Sequence, residues 1–415
     1  MNLSINHSCP SCGAPIQMKE VDRVTTCVFC EVKNYMIVDS LQRFVLPDKV
    51  PEQIRREDII YFPYMRFKGN IFSCQGREVE SKVLDTTHKG LDVALLSPTL
   101  GVRPQAMKVH LVDENLSGKF VRRKDTAVTI LQRATMLAEA FSESEKEQLF
   151  HRAFIGETVS CIYLPLYIKD GTVYDGVLNK ALGKVEPWLE DVKSTVRYRQ
   201  EWKPAFLATI CPQCGADMDG ENDSLILHCY SCNTCWAEKG SKFVRVPYSQ
   251  VVSQTPEILN LPFWRIEVVT RGIRMRTFAD FLKVTNQPVM IKTQYDDTNL
   301  EFWIPAVKLR PKIFLKLAKS ATLSQEKFPE GSQKLKKPLI PITMPLKEAI
   351  QSLKSIVAET TVNRKDVLPQ LPNLSISVTR SSLAFLPFEN TGHDLVQEHS
   401  ALSVATSVVQ HGRKL

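Results

Sequence analysis

The pattern of apolar and polar positions along the chain favours strands over helices. Segments such as "TVSCIYLPLYI", "KFVRVPY" and "LEFWIPAVKL" are rich in β-branched and aromatic residues, which is typical of strands. Each also carries a proline beside an aromatic or aliphatic residue. Because proline cannot donate a ladder hydrogen bond, we expect these strands to begin at the proline or to lie at a sheet edge.

Helical periodicity is confined to a few segments. The segment 125–141 places its apolar side chains on one face and has an aspartate near its start, so it predicts a helix. The segments 144–154 and 344–359 are the other predicted helices. Residues 320–338 are polar and contain Gly, Ser and Pro, which indicates a surface loop or linker. The expected fold class is therefore α+β, rich in strands.

Cysteine spacing adds a second pattern. Of the 11 cysteines, eight form C-x-x-C pairs, and an arrangement of two pairs separated by 14 residues occurs twice. Four thiolates suit a tetrahedral metal ion, and a two-residue gap lets both sulfurs of a pair face that ion. Gly13 and Gly215 allow the positive φ that the chain often needs after such a pair. The predicted ligands are Cys9, Cys12, Cys27 and Cys30 in the first set, and Cys211, Cys214, Cys229 and Cys232 in the second.

Each set resembles the zinc-ribbon family. The resemblance implies a short hairpin between the pairs and one structural Zn²⁺ per set, hence two zinc ions per chain. Two alternatives stay open, namely redox disulfides within the pairs and iron in a rubredoxin-like site that transfers electrons. Rubredoxins usually carry a glycine after both pairs, whereas the second pairs here are followed by Glu31 and Asn233. This difference favours zinc over iron.

The other cysteines and the nearby histidines are interpreted as residues that do not bind metal. Cys235 is close enough to the second set to replace a ligand, but the first set has Lys33 at the corresponding position. Since two copies of one design are expected to use matching ligands, Cys235 is interpreted as a spare thiol. We expect buried structural roles for Cys74 and Cys161, and bystander roles for His7 and His228.

The similarity between the two halves extends beyond the cysteines. "RFVLP", "YFPYMRFKG", "GVRPQAMKV" and "IYLPLYIKDG" follow the first set, and "KFVRVP", "NLPFWRIEV", "KLRPKIFLK" and "AFLPFENTG" follow the second in the same order. Such order predicts a tandem duplication of roughly 1–200 and 201–415. The predicted domains are a ribbon at 1–38, a β-rich body at 39–200, a second ribbon at 201–240 and a second body at 241–415.

Four arginines recur at matching positions of the two halves. They are Arg66 and Arg265 in one pair of matches, and Arg103 and Arg310 in another. One interpretation is a shared site for an anion or carboxylate. The favoured interpretation is that each arginine is structural and hydrogen-bonds a neighbouring turn or ribbon.

Composition changes this picture little. The chain is 43% hydrophobic and 24% charged, which are ordinary globular values. The formal net charge of +8 counts cysteine as neutral, and eight thiolates on two divalent ions would bring it closer to zero. The N-terminal residues show no secretory signal and no window is long and apolar enough for a membrane span. We therefore expect a cytoplasmic protein.

No enzyme motif is recognisable, so no catalytic residue is proposed and a non-catalytic role is favoured. The leading hypothesis is a zinc-binding scaffold whose two ribbons present a bivalent surface to another macromolecule, most naturally a protein. The first alternative is nucleic-acid binding through the basic stretches 119–124 and 308–337. The second is electron transfer through iron. Oligomeric state is not predicted.

Overall fold

The computed structural model describes residues 3–37, 41–123, 129, 132–133, 135–136, 148–187, 195–199, 202, 205–251, 253, 258–329, 331–397 and 399–412. Strands account for 42% and helices for 19%, so the protein is α+β and rich in strands, as predicted. The predicted helix at 125–141 falls largely outside the described residues.

The chain forms two compact units. Unit 1 comprises residues 1–68, 84–141 and 157–208, and unit 2 comprises residues 69–83, 142–156 and 209–415. Each half of the sequence thus supplies most of one unit, and two short segments of the first half group with unit 2. The finer division into two ribbons and two bodies stays a prediction.

Unit 1 contains most of a large sheet, and a small sheet. The strands that begin in the first 208 residues are β1 Ser4–Ser8, β2 Pro15–Lys19, β3 Val24–Thr26, β4 Lys33–Ile37, β5 Gln42–Val45, β6 Ile60–Gln75, β7 Glu78–Lys89, β8 Lys108–Leu111, β9 Lys119–Val121, β10 Leu149–Lys169, β11 Thr172–Asp175, β12 Lys180–Lys184, β13 Thr195–Val196 and β14 Ala205–Ala208. The large sheet has the order β13-β9-β6-β10-β5-β8-β1-β2, with β7 beside β6 and the β11–β12 hairpin beside β10. The small sheet, β14-β4-β3, carries part of the first cysteine set.

The pairing around β10 organises unit 1. The strand β5 lies parallel to β10 and pairs Phe44 with Ile162, while β11 continues from β10 as an antiparallel neighbour. Alternating side chains of these strands point into one core, where Phe44, Phe62 and Leu164 are fully or almost fully buried. Burial of such apolar surface is the main stabilising term for the unit.

Unit 2 repeats the use of one long returning strand. Its strands are β15 Ile226–Cys229, β16 Thr234–Glu238, β17 Phe243–Val246, β18 Tyr248–Gln250, β19 Ile258–Arg271, β20 Glu301–Pro305, β21 Ser375–Asn390, β22 Asp394–Gln397 and β23 Ser403–Ala405. The main sheet has the order β20-β19-β21-β22-β23, and β18 lies parallel to β21. The small sheet β15-β16-β17 carries part of the second cysteine set.

Helices cover the unit 2 sheet. The described helices are α1 Arg103–Ala106 in unit 1, and α2 Phe278–Val284, α3 Gln294–Asp297, α4 Pro311–Leu323, α5 Leu346–Gln351, α6 Leu353–Thr360, α7 Arg364–Val367 and α8 Thr406–Gly412 in unit 2; single 3₁₀ turns lie at Arg56–Asp58, Gln325–Lys327 and Leu368–Gln370. The longest, α4, starts at a proline whose fixed φ suits the first helical position. Its apolar face, including Phe314 and Leu317, is buried, and the helix packs on β20 and α6.

Two helix predictions have opposite outcomes. The helix predicted at 344–359 is confirmed as α5 and α6, with a break at Ser352. The helix predicted at 144–154 is wrong from residue 149 onward, because Leu149–Lys169 is the long strand β10. Ala153 and Ile155 of this strand are buried in the unit 2 core, and that burial outweighs the helical periodicity of the short segment.

The predicted loop at 320–338 is partly wrong. Residues 320–323 form the last turn of α4, and the following 3₁₀ turn ends at Lys327. Further along, Ser332 forms an antiparallel bridge with Gln250 of β18, so the segment is part of the packed structure of unit 2.

Candidate metal centres

The first cysteine set lies at two tight turns. One follows β1, where the N–H of Gly13 donates to the carbonyl of Cys9 at 2.9 Å, and the other follows β3, where the N–H of Glu31 donates to the carbonyl of Cys27 at 2.9 Å. Gly13 has a φ of 76° and Glu31 a φ of 58°. The left-handed conformation favours glycine, so at Glu31 it carries a small steric cost that the turn geometry imposes.

The two turns bring four thiols together. The Sγ atoms of Cys9, Cys12, Cys27 and Cys30 all lie within 4.8 Å of one another. Cys9 and Cys30 are 3.8 Å apart, and Cys12 and Cys27 are 3.6 Å apart. A tetrahedron with metal–sulfur bonds of about 2.3 Å has edges of about 3.8 Å, so this spacing fits a bound tetrahedral ion.

The second set has the same construction. The Sγ atoms of Cys211, Cys214, Cys229 and Cys232 also lie within 4.8 Å of one another, with pairs at 3.4 and 3.6 Å. Gly215 has a φ of 75° and Asn233 a φ of 53°, which match Gly13 and Glu31. The predicted positive φ at the two glycines is confirmed. The left-handed conformation of Glu31 and Asn233 was not predicted, although each of them directly follows the last cysteine of its set.

Backbone N–H groups prepare these thiols for metal. The N–H groups of Cys30 and Phe29 lower the pKa of Cys27 to about 6. Burial raises the pKa of Cys211, but the N–H groups of Cys214 and Gln213 outweigh it and bring the pKa to about 6. Since a thiolate is the metal-binding form, each set holds an acidic thiol, and four thiolates so close together need a cation to offset their repulsion. Both sets can therefore hold a metal ion.

Among the described residues, the second set has a side-chain partner that the first lacks. Trp236 Nε1–H donates to Thr234 Oγ1 at 2.7 Å, which leaves the threonine hydroxyl proton for Cys232 Sγ at 3.0 Å. Val32 stands two residues after Cys30, where Thr234 stands two residues after Cys232. A hydrogen bond to a ligand thiolate spreads its charge and slows its reactions. The two centres therefore differ in their outer contacts.

Cys235 and the neighbouring histidines are not members of the two four-cysteine clusters. Cys235 is fully buried, burial raises its pKa, and its Sγ lies 3.4 Å from Nδ1 of His228. Burial lowers the pKa of His228 to about 4, so this imidazole is neutral near pH 7. His7 stacks on Phe206 with ring centroids 5.7 Å apart.

Arg66 binds carboxylates of its own unit. It is fully buried and donates from Nε and Nη2 to both oxygens of Asp85, at 2.7 and 2.8 Å. It also forms an ion pair with Glu20, which is 1% exposed. These acidic partners were missed by sequence reasoning because they lie far from Arg66 along the chain and have no local pattern.

The other three arginines have less enclosed surroundings. Arg265 makes a similar two-pronged contact with Glu301 and lies 5.0 Å from the centre of the Trp303 ring. Arg103 donates to the buried carboxylate of Asp175 at 2.6 Å. Arg310 is exposed at the start of α4. The geometry at Arg66, Arg265 and Arg103 suits a structural role better than a site for an external anion.

The basic stretches are only partly available to a ligand. In 119–124, Phe120 is buried beside exposed Lys119, and Lys124 lies outside the described residues. In 308–337, Lys319 donates to the carbonyl of Glu359 and Lys337 binds Asp219. The exposed members include Lys312 and Lys316 on α4, and Lys334 and Lys336 after it.

A polar cavity of about 560 Å³ lies in unit 2 between the β6–β7 turn and the start of the Leu368–Gln370 turn. Its charged lining consists of Arg77 and Lys365 opposite Glu78 and Glu80, and Gln75 donates to Glu80 at 2.9 Å.

No protein-family model, curated protein or solved structure matches this chain. Within the part of the chain that the structure describes, no helix combines the length and apolar character needed to cross a membrane.

Proposed function

We propose that this chain is a non-catalytic, zinc-binding interaction protein of the cytoplasm, with two structural four-cysteine ribbons that present a bivalent surface to a protein partner. The observation that carries the proposal is the presence of two clusters of four cysteines whose turn geometry and sulfur spacing match. A ribbon buries little apolar surface, so metal binding supplies much of its folding free energy. Zinc is favoured over iron because Glu31 and Asn233, rather than glycine, follow the second cysteine pairs.

The surface of the ribbons supports an interaction role. In both ribbons the first cysteine turn is exposed, including Cys12 with Pro10 and Cys214 with Pro212. A metal-fixed turn is rigid and loses little conformational freedom when a partner binds. Two such turns on one chain raise the overall affinity for a partner with two matching sites, without a stronger contact at either.

A tandem duplication is part of this proposal, and ion pairs support it. When Pro63 is aligned with Pro262, Arg66 matches Arg265. Arg66 binds Asp85 on the neighbouring strand β7, and Arg265 binds Glu301 on the neighbouring strand β20. The N–H of Gly90 donates to Pro63 and the N–H of Ala306 to Pro262, both at 2.8 Å, so the strand registers agree. This agreement supports the assignment of Asp85 and Glu301 to equivalent positions of the two proposed repeats.

Strand pairing extends the match and refines the alignment. The N–H of Leu46 donates to Tyr163 at 3.0 Å, and the N–H of Val251 donates to Phe385 at 2.9 Å, each two residues before the proline of the returning strand. Leu46 therefore corresponds to Val251. The sequence match of "RFVLP" with "KFVRVP" is out of register, because Pro47 follows its strand whereas Pro247 precedes β18.

The test of the proposed function is metal content with a visible spectrum on protein purified without chelator. We expect two zinc ions per chain, no visible absorbance, and loss of folded structure in both ribbons after chelation. Iron with charge-transfer bands would replace the proposal with electron transfer. If the chain carries no tightly bound metal and its stability is unchanged by chelator, the proposal is wrong.

Nucleic-acid binding is the second candidate, and the exposed lysines of α4 favour it. Lys312 and Lys316 lie one helical turn apart on its exposed side, and this helix contains no acidic residue. Retention of DNA or RNA that weakens steeply with salt, and that is lost in Lys312→Glu/Lys316→Glu, would support this candidate. Binding that is unchanged in this double variant would exclude α4 as the contact.

A further inference from the structure

The second cysteine turn of ribbon 1 exposes apolar side chains. Val28 is 82% and Phe29 67% exposed, although both lie between metal ligands in a turn that the metal would hold rigid. The exposed side chain of Glu31 follows directly. Two adjacent apolar side chains on a rigid turn are costly to leave in water and suit an interface.

The corresponding turn of ribbon 2 is covered by a segment of its own unit. The N–H of Leu335 donates to Asn233 Oδ1 at 3.0 Å, and the Lys337 ammonium lies 4.5 Å from the centre of the Tyr230 ring. Lys337 also pairs with Asp219 at 2.8 Å. Residues 333–337, "QKLKK", therefore form a basic segment that contacts this turn.

The second cysteine turns of the two ribbons have the same backbone conformation but differ in the charge of the corresponding chain segments. Asn233 and Glu31 share the left-handed conformation directly after the last cysteine. In the proposed duplication Val45 corresponds to Gln250. Val45 pairs with His110 and Gln250 pairs with Ser332, both antiparallel. Residues 111–115 of unit 1 therefore correspond to residues 333–337 of unit 2. This stretch of unit 1 reads "LVDEN" and carries acidic residues where unit 2 carries lysines.

We propose that the second turn of ribbon 1, formed by Val28, Phe29 and Glu31, is a docking site for an extended, lysine-bearing peptide of a protein partner. The carboxylate of Glu31 stands where Asn233 accepts a backbone N–H, and it adds a negative charge for a lysine. The Phe29 ring provides a face for an ammonium group. It lies one position after Val28, which is the equivalent of Tyr230, the residue whose ring faces Lys337 in ribbon 2. The acidic counterpart segment of unit 1 would be repelled by Glu31, so the site is left to a partner.

This inference rests on the proposed function, since it needs a metal-fixed ribbon 1. The probe is a fluorescein-labelled synthetic peptide with the sequence of residues 332–340, "SQKLKKPLI", titrated with the full-length, zinc-loaded chain and followed by fluorescence anisotropy. We expect saturable binding that weakens at least tenfold in Phe29→Ala and in Glu31→Lys. Tyr230→Ala is the control, because it removes the aromatic ring from the corresponding turn of ribbon 2, and we expect the peptide to bind it as it binds the parent.

Zinc content is measured on every variant, so that failure to dock is distinguished from failure to fold. A parent chain that holds two zinc ions and does not bind the peptide overturns the docking site and leaves the proposed function standing. Equal binding by the parent, Phe29→Ala and Glu31→Lys also overturns it. A concentration-dependent dimer that Phe29→Ala abolishes and that the peptide does not compete with would assign the turn to a second copy of the chain instead.

Discussion

The guanidinium of Arg66 binds both oxygens of Asp85 through two hydrogen bonds, at 2.7 and 2.8 Å, in the interior of unit 1. Burial raises the pKa of Asp85, but the hydrogen bonds and charge of Arg66 outweigh it and hold this pKa below its ordinary value. Because Glu20 also pairs with Arg66 and is almost fully buried, one buried cation serves a buried carboxylate and a partly exposed one.

We expect Arg66→Ala to lower the free energy of unfolding by about 3–5 kcal/mol, because it leaves the buried carboxylate of Glu20 and the partly exposed carboxylate of Asp85 without their cation. Urea unfolding, followed by circular dichroism, measures this loss. Arg265→Ala is the matched comparison. Its ion pair with Glu301 is about one-third exposed at the arginine, so we expect a loss of only about 1 kcal/mol. Equal losses in the two variants would contradict the role of burial.

Single ligand substitutions test the membership of the metal centres. We expect Cys27→Ser and Cys229→Ser each to reduce the zinc content from two ions to one per chain, because three thiolates hold the metal more weakly and less specifically than four. Elemental analysis of purified variants measures the content. Cys235→Ala is the control and should keep both ions, since Cys235 is not a member of either four-cysteine cluster. Loss of an ion in Cys235→Ala would make it a ligand.

The hydroxyl of Thr234 predicts a difference in metal retention. We expect Thr234→Val to speed zinc release from ribbon 2 by about tenfold, because the Cys232 thiolate loses its hydrogen bond. The reciprocal change Val32→Thr should slow release from ribbon 1. A stopped-flow experiment with a coloured chelator resolves the two phases. Release rates that are the same in the parent and both variants would show that the hydroxyl has no influence on the metal.

His151 of β10 gives unit 2 a pH dependence. Its Nε2 atom is buried without a hydrogen-bond partner among the described residues, and burial, aided by the charge of Lys354, lowers its pKa from 6.5 to about 4. The unfolded chain therefore binds a proton more readily than the folded chain. Stability is fully present above pH 6.5 and is lost as the pH falls toward 4.

The measurement is urea unfolding of the parent and of His151→Gln at pH 7.5 and 5.5. We expect the parent to lose about 1.4 kcal/mol more than the variant across this interval, because only the parent protonates this side chain on unfolding. Metal loss affects both proteins and cancels in the comparison. Equal losses would show that His151 keeps an ordinary pKa in the folded chain.

Local chemistry made much of the candidate site predictable. The two-residue gap within each cysteine pair and the glycine after each first pair specify a turn within a few residues, so the grouping of eight thiols could be predicted from spacing alone. The helix at 344–359 was equally accessible, because its apolar period is long enough to be distinctive. The segment 144–154 was too short for that, and its C-terminal part joins a strand instead.

What the sequence by itself determined is the set of features that depend on near neighbours: the cysteine turns, the preference for strands, and the ordered matches between the two halves. Only the tertiary structure decided which carboxylate each arginine grips, which centre receives the hydroxyl of Thr234, and that residues 333–337 cover one ribbon while Phe29 of the other is exposed. These contacts join residues that lie on different elements or far apart in the chain. Their energy depends on burial and on partners that strand pairing brings together, and spacing along the sequence carries no record of either.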